Sequence, residues 1–342
     1  MADLPRLFPM NEEPPMKRIG VLFGMENTFP PALVERINQM NAGVVAEFLQ
    51  LGATKMADPA KYDVIIDRIS QDIPYYRSYL KNAVLGGTHV INNPFWWSAD
   101  DKFFNYALAS KLGVATPKTV LLPSHRHPPE TTAQSMRNLR FPLPWKEVFD
   151  YIGFPAFLKP HSGGGWKHVY KVHNEKDFFH YYHQTDDLVM TLQEGIDFES
   201  YFRCYCIGQE NVRVMRYDPL EPHENRYVRN ASPTDPELEA RIVHDCITLC
   251  RALGYDIDTL EFAVRGGIPY AIDFLNPAPD ADFYSVGQEN FNWVVNAIAE
   301  LAVQRAMNHD SAVPEYRWAA FLNGADADSK TPAKKATKAS KR

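Results

Sequence analysis

The chain has few cysteines, and their spacing limits what they can do. Only four of its 342 residues are cysteines, and they fall as two pairs, Cys204 with Cys206 and Cys246 with Cys250. Neither pair has the Cys-x-x-Cys spacing of a structural zinc site, and zinc would require the two pairs to converge. Buried free thiols in a reducing compartment are therefore the favoured interpretation.

Long apolar runs are also missing. No stretch reaches the apolar length that a helix needs to span a membrane, and the first residues lack the basic and apolar segments of a signal peptide. The sequence therefore predicts a cytoplasmic protein with no membrane partner. Oligomeric state has no signature here, and a homodimer is the commonest default.

Acids are absent from the C-terminal end. Residues 329–342 contain five lysines and one arginine but no large apolar residue, so this tail cannot bury a core and is expected to be disordered. The whole chain carries a net charge of −6, so the remaining body is acidic. An acidic body gives no support for nucleic-acid binding by the folded part.

Strand and helix patterns alternate near the start of the chain, which predicts an open α/β domain. A well-marked helix follows much later, from Pro236 to Leu253, with Thr234 and Glu237 as a capping box and Gly254 as its stop. Earlier, Asp100 or Asp101 caps another helix. Residues 123–146 are predicted to form an irregular surface excursion.

The stretch at residues 258–280 carries the most chemistry. Alternating apolar and polar residues flank a Gly-Gly pair, which predicts a tight antiparallel hairpin. That pairing places Glu261 beside Asp273, and Asn276 follows three residues later. Two carboxylates and an amide oxygen suit magnesium, which prefers a few protein oxygens together with substrate phosphates. The alternative is that these acids are merely solvated at strand ends.

A glycine-rich loop between two strands forms a second candidate site. Lys159 ends the first strand and can reach phosphate oxygens, while Gly163, Gly164 and Gly165 let backbone amides approach the same anion. No Gly-Lys-Ser/Thr follows and the next element is a strand, so this is not a Walker A loop. Glycine-rich turns between strands are common, so the loop alone decides little.

The order of these pieces resembles the ATP-grasp superfamily over roughly residues 60–305. The resemblance is to its carboxylate–amine or thiol ligases, such as glutathione synthetase and D-alanine–D-alanine ligase. The motifs that carry it are, in chain order, Asp101-Lys102 opening a helix, Gly113 to Lys118, the strand ending at Lys159, Gly163 to Gly165, Val189 to Asp197, Arg203 to Gly208, and the acidic hairpin.

The resemblance implies an α/β (α+β) fold class, with an N-terminal open α/β pre-ATP-grasp domain followed by a two-lobed ATP-grasp domain. The implied divisions are an N-terminal extension at 1–15, the pre-ATP-grasp domain at 16–98, a small lobe with the glycine loop at 99–195, a large lobe with the magnesium hairpin at 196–322, and the basic tail at 323–342.

The resemblance also implies roles in nucleotide binding. Lys102 and Lys159 would hold the phosphates beneath the loop of Gly163, Gly164 and Gly165. The hinge that reads adenine through its backbone would comprise Gln193, Glu194, Gly195 and Ile196. The ribose hydroxyls would fall to Asp197 or Glu199.

The remaining implied residues lie around the phosphates. Glu261, Asp273 and Asn276 match the family's magnesium set, in which manganese is an alternative ion. Many members end this set with Glu-x-Asn, whereas this chain has Asp-x-x-Asn, which puts the geometry at Asn276 in question more than that at Asp273. Arg203 and Arg216 lie where the family places cations near the transferred phosphoryl group.

The implied activity is that of an ADP-forming ligase, whose partners are ATP and a small carboxylate, amino acid or peptide acceptor. A small-molecule kinase and an ATP-binding protein without turnover remain open alternatives. Arg68, Arg226 and Arg229 are candidates for binding a substrate carboxylate, although Arg68 can instead pair with Asp67 or Asp72. Trp96-Trp97 could line a pocket or lie in a core.

Overall fold

The computed structural model describes residues 16–56, 58–59, 61–95 and 101–308, which divide into two units. The first unit comprises residues 16–91 with 289–308, and the second comprises residues 92–288. The predictions for residues 1–15, Trp96-Trp97, Asp100 and the tail at 323–342 lie outside the described residues. No helix in the described ranges is long and apolar enough to cross a membrane.

The first unit is built on an open, fully parallel sheet, which confirms the predicted α/β pattern. Strands β1 (Lys17–Leu22), β2 (Val44–Phe48), β3 (Val64–Asp67) and β4 (His89–Ile91) are ordered β2-β1-β3-β4. The connecting helices α1 (Phe29–Gln39) and α2 (Pro74–Leu85) both carry proline in the first turn, where its fixed φ suits a helix. Apolar residues fill both faces of the central strands, as parallel sheets require.

The second unit contains two antiparallel sheets, of which the first forms a small lobe. Helix α3 (Lys102–Lys111) precedes β5 (Thr119–Leu122), α4 (Trp145–Ile152), β6 (Ala156–Pro160), β7 (Tyr170–Val172), α5 (Glu175–Tyr182) and β8 (Met190–Glu194). The strands are ordered β5-β8-β6-β7. The predicted irregular excursion is wrong at its end, because Trp145 already begins α4 and packs its ring against Phe149 and Phe178.

The second antiparallel sheet forms a large lobe. It contains β9 (Ser200–Ile207), β10 (Asn211–Arg216), β11 (Ile257–Arg265) and β12 (Ile268–Asp273), ordered β10-β9-β11-β12. Helix α6 (Pro236–Leu253) packs on one face. Helix α7 (Phe283–Met307) comes next in the chain, has a break at Gly287, and belongs to the first unit from Glu289 onward. Because side chains alternate along a strand, the face away from α6 is left to carry polar groups.

The helix α6 begins and ends where the sequence predicts, but its cap differs. Asp235, rather than Thr234, accepts hydrogen bonds from the backbone amides of Glu237 and Leu238 at 3.1 and 3.0 Å. A carboxylate at this position also interacts favourably with the positive end of the helix dipole. Gly254 closes the helix in the left-handed conformation, as expected.

All four cysteines are buried free thiols, which confirms the interpretation from their spacing. They nevertheless lie in one core, with Cys246 beside Cys204 and Cys250 beside Cys206. Burial raises the pKa of Cys246 and Cys250 well above the ordinary value, so these thiols stay protonated. Across the described part of the chain, no cluster of histidine, cysteine or acidic residues is arranged to hold a metal ion.

Gly195, which follows β8, lies very close to the backbone of Pro155, and this contact gives a testable prediction. A Cβ at Gly195 would lie 2.7 Å from the carbonyl oxygen of Pro155, to which the Gly195 amide donates at 3.0 Å. We expect Gly195→Ala to lower the free energy of unfolding by about 1–3 kcal/mol, because backbone must move. Urea denaturation checks this. Gly52→Ala is the control, since a Cβ at Gly52 meets nothing within 4 Å, and equal losses in both variants would contradict the explanation.

Candidate functional site

The acidic hairpin has the predicted pairing. Glu261 of β11 lies opposite Asp273 of β12, next to a register irregularity between Glu261 and Phe262. Gly266 and Gly267 form the turn with φ of 59° and 72°, conformations that favour glycine in a two-residue hairpin loop. The irregularity at the paired acids is a feature that often re-aims side chains near functional sites.

Each of the two carboxylates has a cationic partner. Lys102 Nζ lies 3.3 and 3.4 Å from the two oxygens of Asp273. Arg203 Nη1 lies 3.2 Å from Glu261 Oε1, and the Tyr201 hydroxyl donates to Glu261 Oε2 at 2.6 Å. The side chains of Lys102 and Arg203 are only 9% and 13% exposed, so these pairs are poorly screened by solvent.

A third cation, Lys159, lies close by and is held by neutral groups. Its Nζ donates to the Tyr106 hydroxyl at 2.7 Å and to Gln193 Oε1 at 2.8 Å. The Tyr106 hydroxyl in turn donates to the carbonyl of Ile272 at 2.6 Å, next to Asp273. Burial lowers the pKa of Lys159 to about 8, although the negative charges of Asp273 and Glu261 act in the opposite direction.

The electrostatics of Asp273 follow from the same neighbours. Burial by itself raises the pKa of this carboxyl, but the charges of Lys102, Lys159 and Arg203 outweigh it and bring the pKa below the ordinary value. The Asp273 side chain is 45% exposed, so it combines an ionised state with access to solvent. That combination suits a carboxylate that binds a cation.

The start of α3 adds further positive potential. Asp101 caps the helix by accepting from the Phe104 amide at 3.0 Å, as the sequence predicts. The amide of Lys102 donates to the carbonyl of His161 at 2.9 Å, which ties the helix start to the end of β6. A helix N-terminus that carries a lysine favours an anion nearby.

The glycine loop owes its glycines to backbone conformation. Gly163 and Gly165 have φ of 81° and 71°, and a Cβ at any of Gly163, Gly164 or Gly165 would meet open space. Trp166, which follows, is 60% exposed and lies under the guanidinium of Arg226, 5.9 Å from the ring centre. The loop is therefore uncrowded, with room for a ligand beside its amides.

The predicted hinge residues divide their work. Gln193 is buried at 2% exposure, and its side chain bridges Lys159 and the Thr119 hydroxyl, to which it donates at 2.9 Å. Glu194 forms an ion pair with Arg265 at 2.9 Å, and its amide donates to the carbonyl of Lys118 at 2.9 Å. The side chain of Gln193 is therefore committed to holding Lys159.

The residues that follow the hinge are more open. Within the described residues, the amide of Ile196 donates no backbone hydrogen bond, so it is available to a ligand. Asp197 is exposed, whereas Glu199 Oε1 accepts from the Gly266 amide at 2.9 Å and thus helps to hold the hairpin turn. These positions do not decide whether Asp197 or Glu199 binds the ribose.

The structure does not bring Arg216 together with the other candidates. In the β9–β10 register Arg216 lies opposite Phe202, and its guanidinium lies 4.9 Å from the centre of the Phe202 ring. Phe202 belongs to the core beneath α6, while Arg203 leaves the sheet on the other face with Glu261. A role for Arg216 at the phosphates therefore stays a prediction that the geometry does not favour.

Asn276 is close to the acids but engaged elsewhere. One amide orientation gives a single bond, from Nδ2 to Thr259 Oγ1 at 3.1 Å. The opposite orientation is better satisfied, since the oxygen then accepts from Arg203 Nη2 and Thr259 Oγ1 at 3.1 Å each, and Nδ2 donates to the carbonyl of Ala278 at 3.2 Å. We adopt the second orientation, in which the oxygen faces Arg203.

Arg68 pairs with an acid that the sequence does not point to. Within the first unit, its Nε lies 2.7 Å from Glu26 Oε2 and its Nη2 lies 2.5 Å from Glu26 Oε1, and its side chain is 1% exposed. The Asp67 carboxylate accepts from the backbone amides of Ile69 and Ser70. A role for this buried guanidinium in binding a substrate carboxylate stays a prediction that the geometry does not favour.

Sequence analysis missed the tyrosines of the site. Tyr201 binds Glu261, and Tyr106 binds Lys159. Tyr201 shares a face of β9 with Arg203, so the period of two could have identified it. Tyr106 lies in the middle of α3, where an aromatic residue is expected in a core, and no local signal distinguishes it.

The donor set fits a magnesium ion bound together with phosphates. Two carboxylates and one amide are hard oxygen donors, and no third acidic, histidine or cysteine residue completes a metal cluster in the described ranges. An ion here would take further ligands from water or phosphate oxygens, as magnesium commonly does. Lys102, Lys159 and Arg203 all act on the paired acids and supply positive charge for an anionic ligand.

The fold matches those of solved ATP-grasp proteins. A RimK-domain ATP-grasp protein from Sphaerobacter thermophilus gives a TM-score of 0.60 at 14% identity, over 85% of this chain and 100% of that one. The D-alanine–D-alanine ligase from Bacillus anthracis, solved in complex with ATP, gives 0.57 at 15% identity over 85% and 97%. The VanG D-Ala:D-Ser ligase from Enterococcus faecalis gives 0.57 at 14% identity over 85% and 98%.

Comparisons of the sequence alone, by contrast, found no match. No protein-family model matches the chain, and no curated protein sequence matches it. The structural matches have identities of 14–15%, at which a likeness reports the fold. The resemblance predicted from the order of motifs is confirmed at that level: the chain has the ATP-grasp fold.

Proposed function

We propose that the protein is an ATP-dependent, ADP-forming ligase that activates a carboxylate as an acyl phosphate for attack by an amine or a similar nucleophile. The observation that carries the proposal is the convergence of Lys102, Lys159 and Arg203 on the Glu261–Asp273 pair. Structural neighbours with the same fold include ligases, one of which was solved with ATP. The proposed partners of this protein are ATP, with magnesium or manganese, and a small carboxylate, amino acid or peptide.

The residues of the site divide the work of binding. Lys102 and Lys159 neutralise the phosphates, and the backbone of Gly163, Gly164 and Gly165 covers them. Ile196 offers its amide to the adenine ring, and Asp197 or Glu199 binds the ribose. These contacts fix the nucleotide, so that the reacting oxygens are held in line.

The acidic hairpin and Arg203 act at the point of transfer. Glu261 and Asp273 would hold a magnesium ion, with Asn276 able to contribute if its amide turns away from Arg203. The ion would supply positive charge for the phosphates. Asp273 would then give up its contact with Lys102, which would leave the lysine free for phosphate.

The chemistry conserves its atoms in two displacements. A carboxylate oxygen of the acceptor forms a bond to the γ-phosphorus while the bond to the β-phosphate oxygen breaks, and ADP leaves. The nucleophile then attacks the acyl carbon, the C–O bond breaks to release phosphate with its electron pair, and the proton lost by the nucleophile passes to the released phosphate or to solvent. Arg203 stabilises the phosphoryl oxygens in both steps.

Turnover of ATP with pooled carboxylates and amines tests the proposal. We expect ADP and free phosphate to appear together, and only with an acceptor pool. ADP without free phosphate would instead indicate a kinase. Tight ATP binding with no turnover in any pool would leave two cases, an acceptor outside the pools or a protein that binds ATP without turnover.

The pKa of Lys159 gives a prediction about nucleotide binding. Because that pKa is about 8, a large fraction of the lysines is neutral at pH 8.5. Phosphates favour the protonated form, so ATP binding should take up nearly that fraction of a proton, and affinity should fall as pH rises above 8.

Calorimetry in two buffers of different ionisation enthalpy measures this uptake at pH 8.5. Lys159→Arg should remove the uptake, because arginine stays protonated. Equal proton uptake by the two proteins would show that another group is responsible.

A further inference from the structure

Two buried polar atoms in the large lobe lack partners. They are the hydroxyl of Tyr227 and Nε of Arg203, neither of which has a hydrogen-bond partner among the described residues. Tyr227 is only 6% exposed, so solvent does not readily satisfy its hydroxyl. An unpaired buried polar group destabilises a fold, so two in one place point to a ligand that satisfies them.

The chain places Tyr227 beside Arg203 through Tyr217. Tyr217 and Tyr227 form a backbone bridge, and their rings meet edge to face with centres 5.2 Å apart. The Arg203 guanidinium lies 5.5 Å from the centre of the Tyr217 ring, and its Nη1 donates to the Tyr217 hydroxyl at 3.4 Å. The rings thus form one cluster with the guanidinium.

The other nitrogens of Arg203 are occupied. Nη1 contacts Glu261 and Tyr217, and Nη2 donates to Thr259 at 3.4 Å and to Asn276. Nε is thus the donor that this guanidinium still has to offer. Burial raises the pKa of Tyr227 well above its ordinary value, and the charge of Arg203 opposes this, so the hydroxyl keeps its proton and can donate.

We propose that the Tyr227 hydroxyl and Arg203 Nε together bind one oxygen-rich anion, the phosphoryl group that is transferred from ATP and released as phosphate. The assignment to a phosphoryl group rests on the proposed function, because Arg203 also contacts Glu261 of the metal-binding hairpin. Two donors without an acceptor of their own match an anion with several acceptor oxygens. Hydrogen bonds to a charged acceptor are stronger than those between neutral groups.

Binding of inorganic phosphate in the presence of saturating magnesium-ADP tests the inference. In Tyr227→Phe we expect the Kd for phosphate to rise about tenfold or more, while the Kd for magnesium-ADP stays within about twofold. The melting temperature should not fall, because the variant removes a hydroxyl that has no partner in the fold.

Two further variants sharpen the result. Tyr182→Phe is the control, since its buried hydroxyl donates to the carbonyl of Pro123 at 2.6 Å in the small lobe; it should lower the melting temperature and leave phosphate binding unchanged. Arg203→Lys keeps a positive charge but removes Nε, so it should weaken phosphate binding even if Tyr227→Phe folds poorly.

The outcomes separate this inference from the proposed function. Equal phosphate affinity in wild type and Tyr227→Phe, or no phosphate binding by a wild type that binds magnesium-ADP, would overturn the anion pair. Failure of the wild type to bind magnesium-ADP would count against the proposed function instead. Phosphate titrated without nucleotide then decides the inference, since a tenfold difference supports the pair and equal affinities reject it.

Discussion

Replacing Asp273 by asparagine is expected to lower ATP turnover on the order of a thousandfold, the largest loss of activity that we predict from one changed atom. The variant keeps the size of the side chain but removes the charge that binds the metal. It also leaves Lys102 without its carboxylate partner at 3.3 Å, so the lysine is already free for phosphate and the expected loss comes from the missing metal ligand.

The effect of Asp273→Asn on folding has a definite sign. The charges around Asp273 hold its pKa below the ordinary value, so the ionised form stabilises the fold at neutral pH. That contribution is present above the ordinary pKa of the carboxyl and is lost as pH falls through the lower pKa of the folded state. Asp273→Asn should therefore be less stable than wild type at pH 7, and this difference should shrink in acid.

Steady-state turnover and urea denaturation measure the two effects. Asp235→Asn is the matched control, because it makes the same chemical change at the cap of α6, where asparagine also caps well. It should leave turnover unchanged. Turnover in Asp273→Asn within about tenfold of wild type would contradict a metal-binding role for this carboxylate.

Lys159→Met is expected to weaken ATP binding by about a hundredfold or more while stabilising the nucleotide-free protein at neutral pH. The first effect follows from the loss of a cation among the phosphates. The second follows from the pKa of about 8, compared with 10.5 for an ordinary lysine. A lowered pKa means that the fold disfavours the charged lysine.

The sign and the pH window of the second effect can be worked out. Between pH 8 and 10.5 the unfolded chain binds more protons at this position than the folded chain, so stability rises with pH there. Below that window the charged lysine costs at most about 3 kcal/mol. The methionine variant avoids this cost, but it leaves Gln193 and Tyr106 without their hydrogen-bond partner. That loss reduces the gain in free energy of unfolding by about 1–2 kcal/mol.

The measurement is the difference in free energy of unfolding between Lys159→Met and wild type at pH 7 and at pH 10.5. We expect the variant to be more stable at pH 7 and to lose that advantage by pH 10.5. Lys146→Met serves as the control, because Lys146 is exposed and its ion pair with Asp150 lies at the surface. A variant that is less stable than wild type at both pH values would show that Lys159 is not strained by burial.

Some parts of this site could be predicted because local sequence determines them. The Gly266-Gly267 turn fixes the hairpin register from Arg265–Ile268 to Phe262–Ala271. The turn alone would place Glu261 opposite Ile272, and the irregularity between Glu261 and Phe262 shifts the pairing by one residue, so that Glu261 lies opposite Asp273. The helix from Pro236 to Leu253 carries its own end signals, and its predicted bounds agree with the structure. The sequence analysis gave Thr234 as the cap and the structure has Asp235, because both residues are of types that cap helices well.

Other parts depend on contacts between distant segments, which periodicity does not report. The partner of Arg68 is Glu26, 42 positions away, whereas the sequence analysis considered only neighbouring acids. Arg203 and Arg216 look alike in the sequence, but the pairing of β9 with β10 places their side chains on opposite faces of the sheet. The buried hydroxyl of Tyr227 becomes informative only when its lack of a partner is known.

The central claim is that this site converts a carboxylate to an acyl phosphate at the expense of ATP. The most direct measurement is turnover of pooled acceptors whose carboxylates carry ¹⁸O, with mass analysis of the released phosphate. The account predicts that one ¹⁸O atom moves from the acceptor to each phosphate, and that Asp273→Asn abolishes the transfer. Unlabelled phosphate from an active enzyme, or ADP released without phosphate, would contradict it.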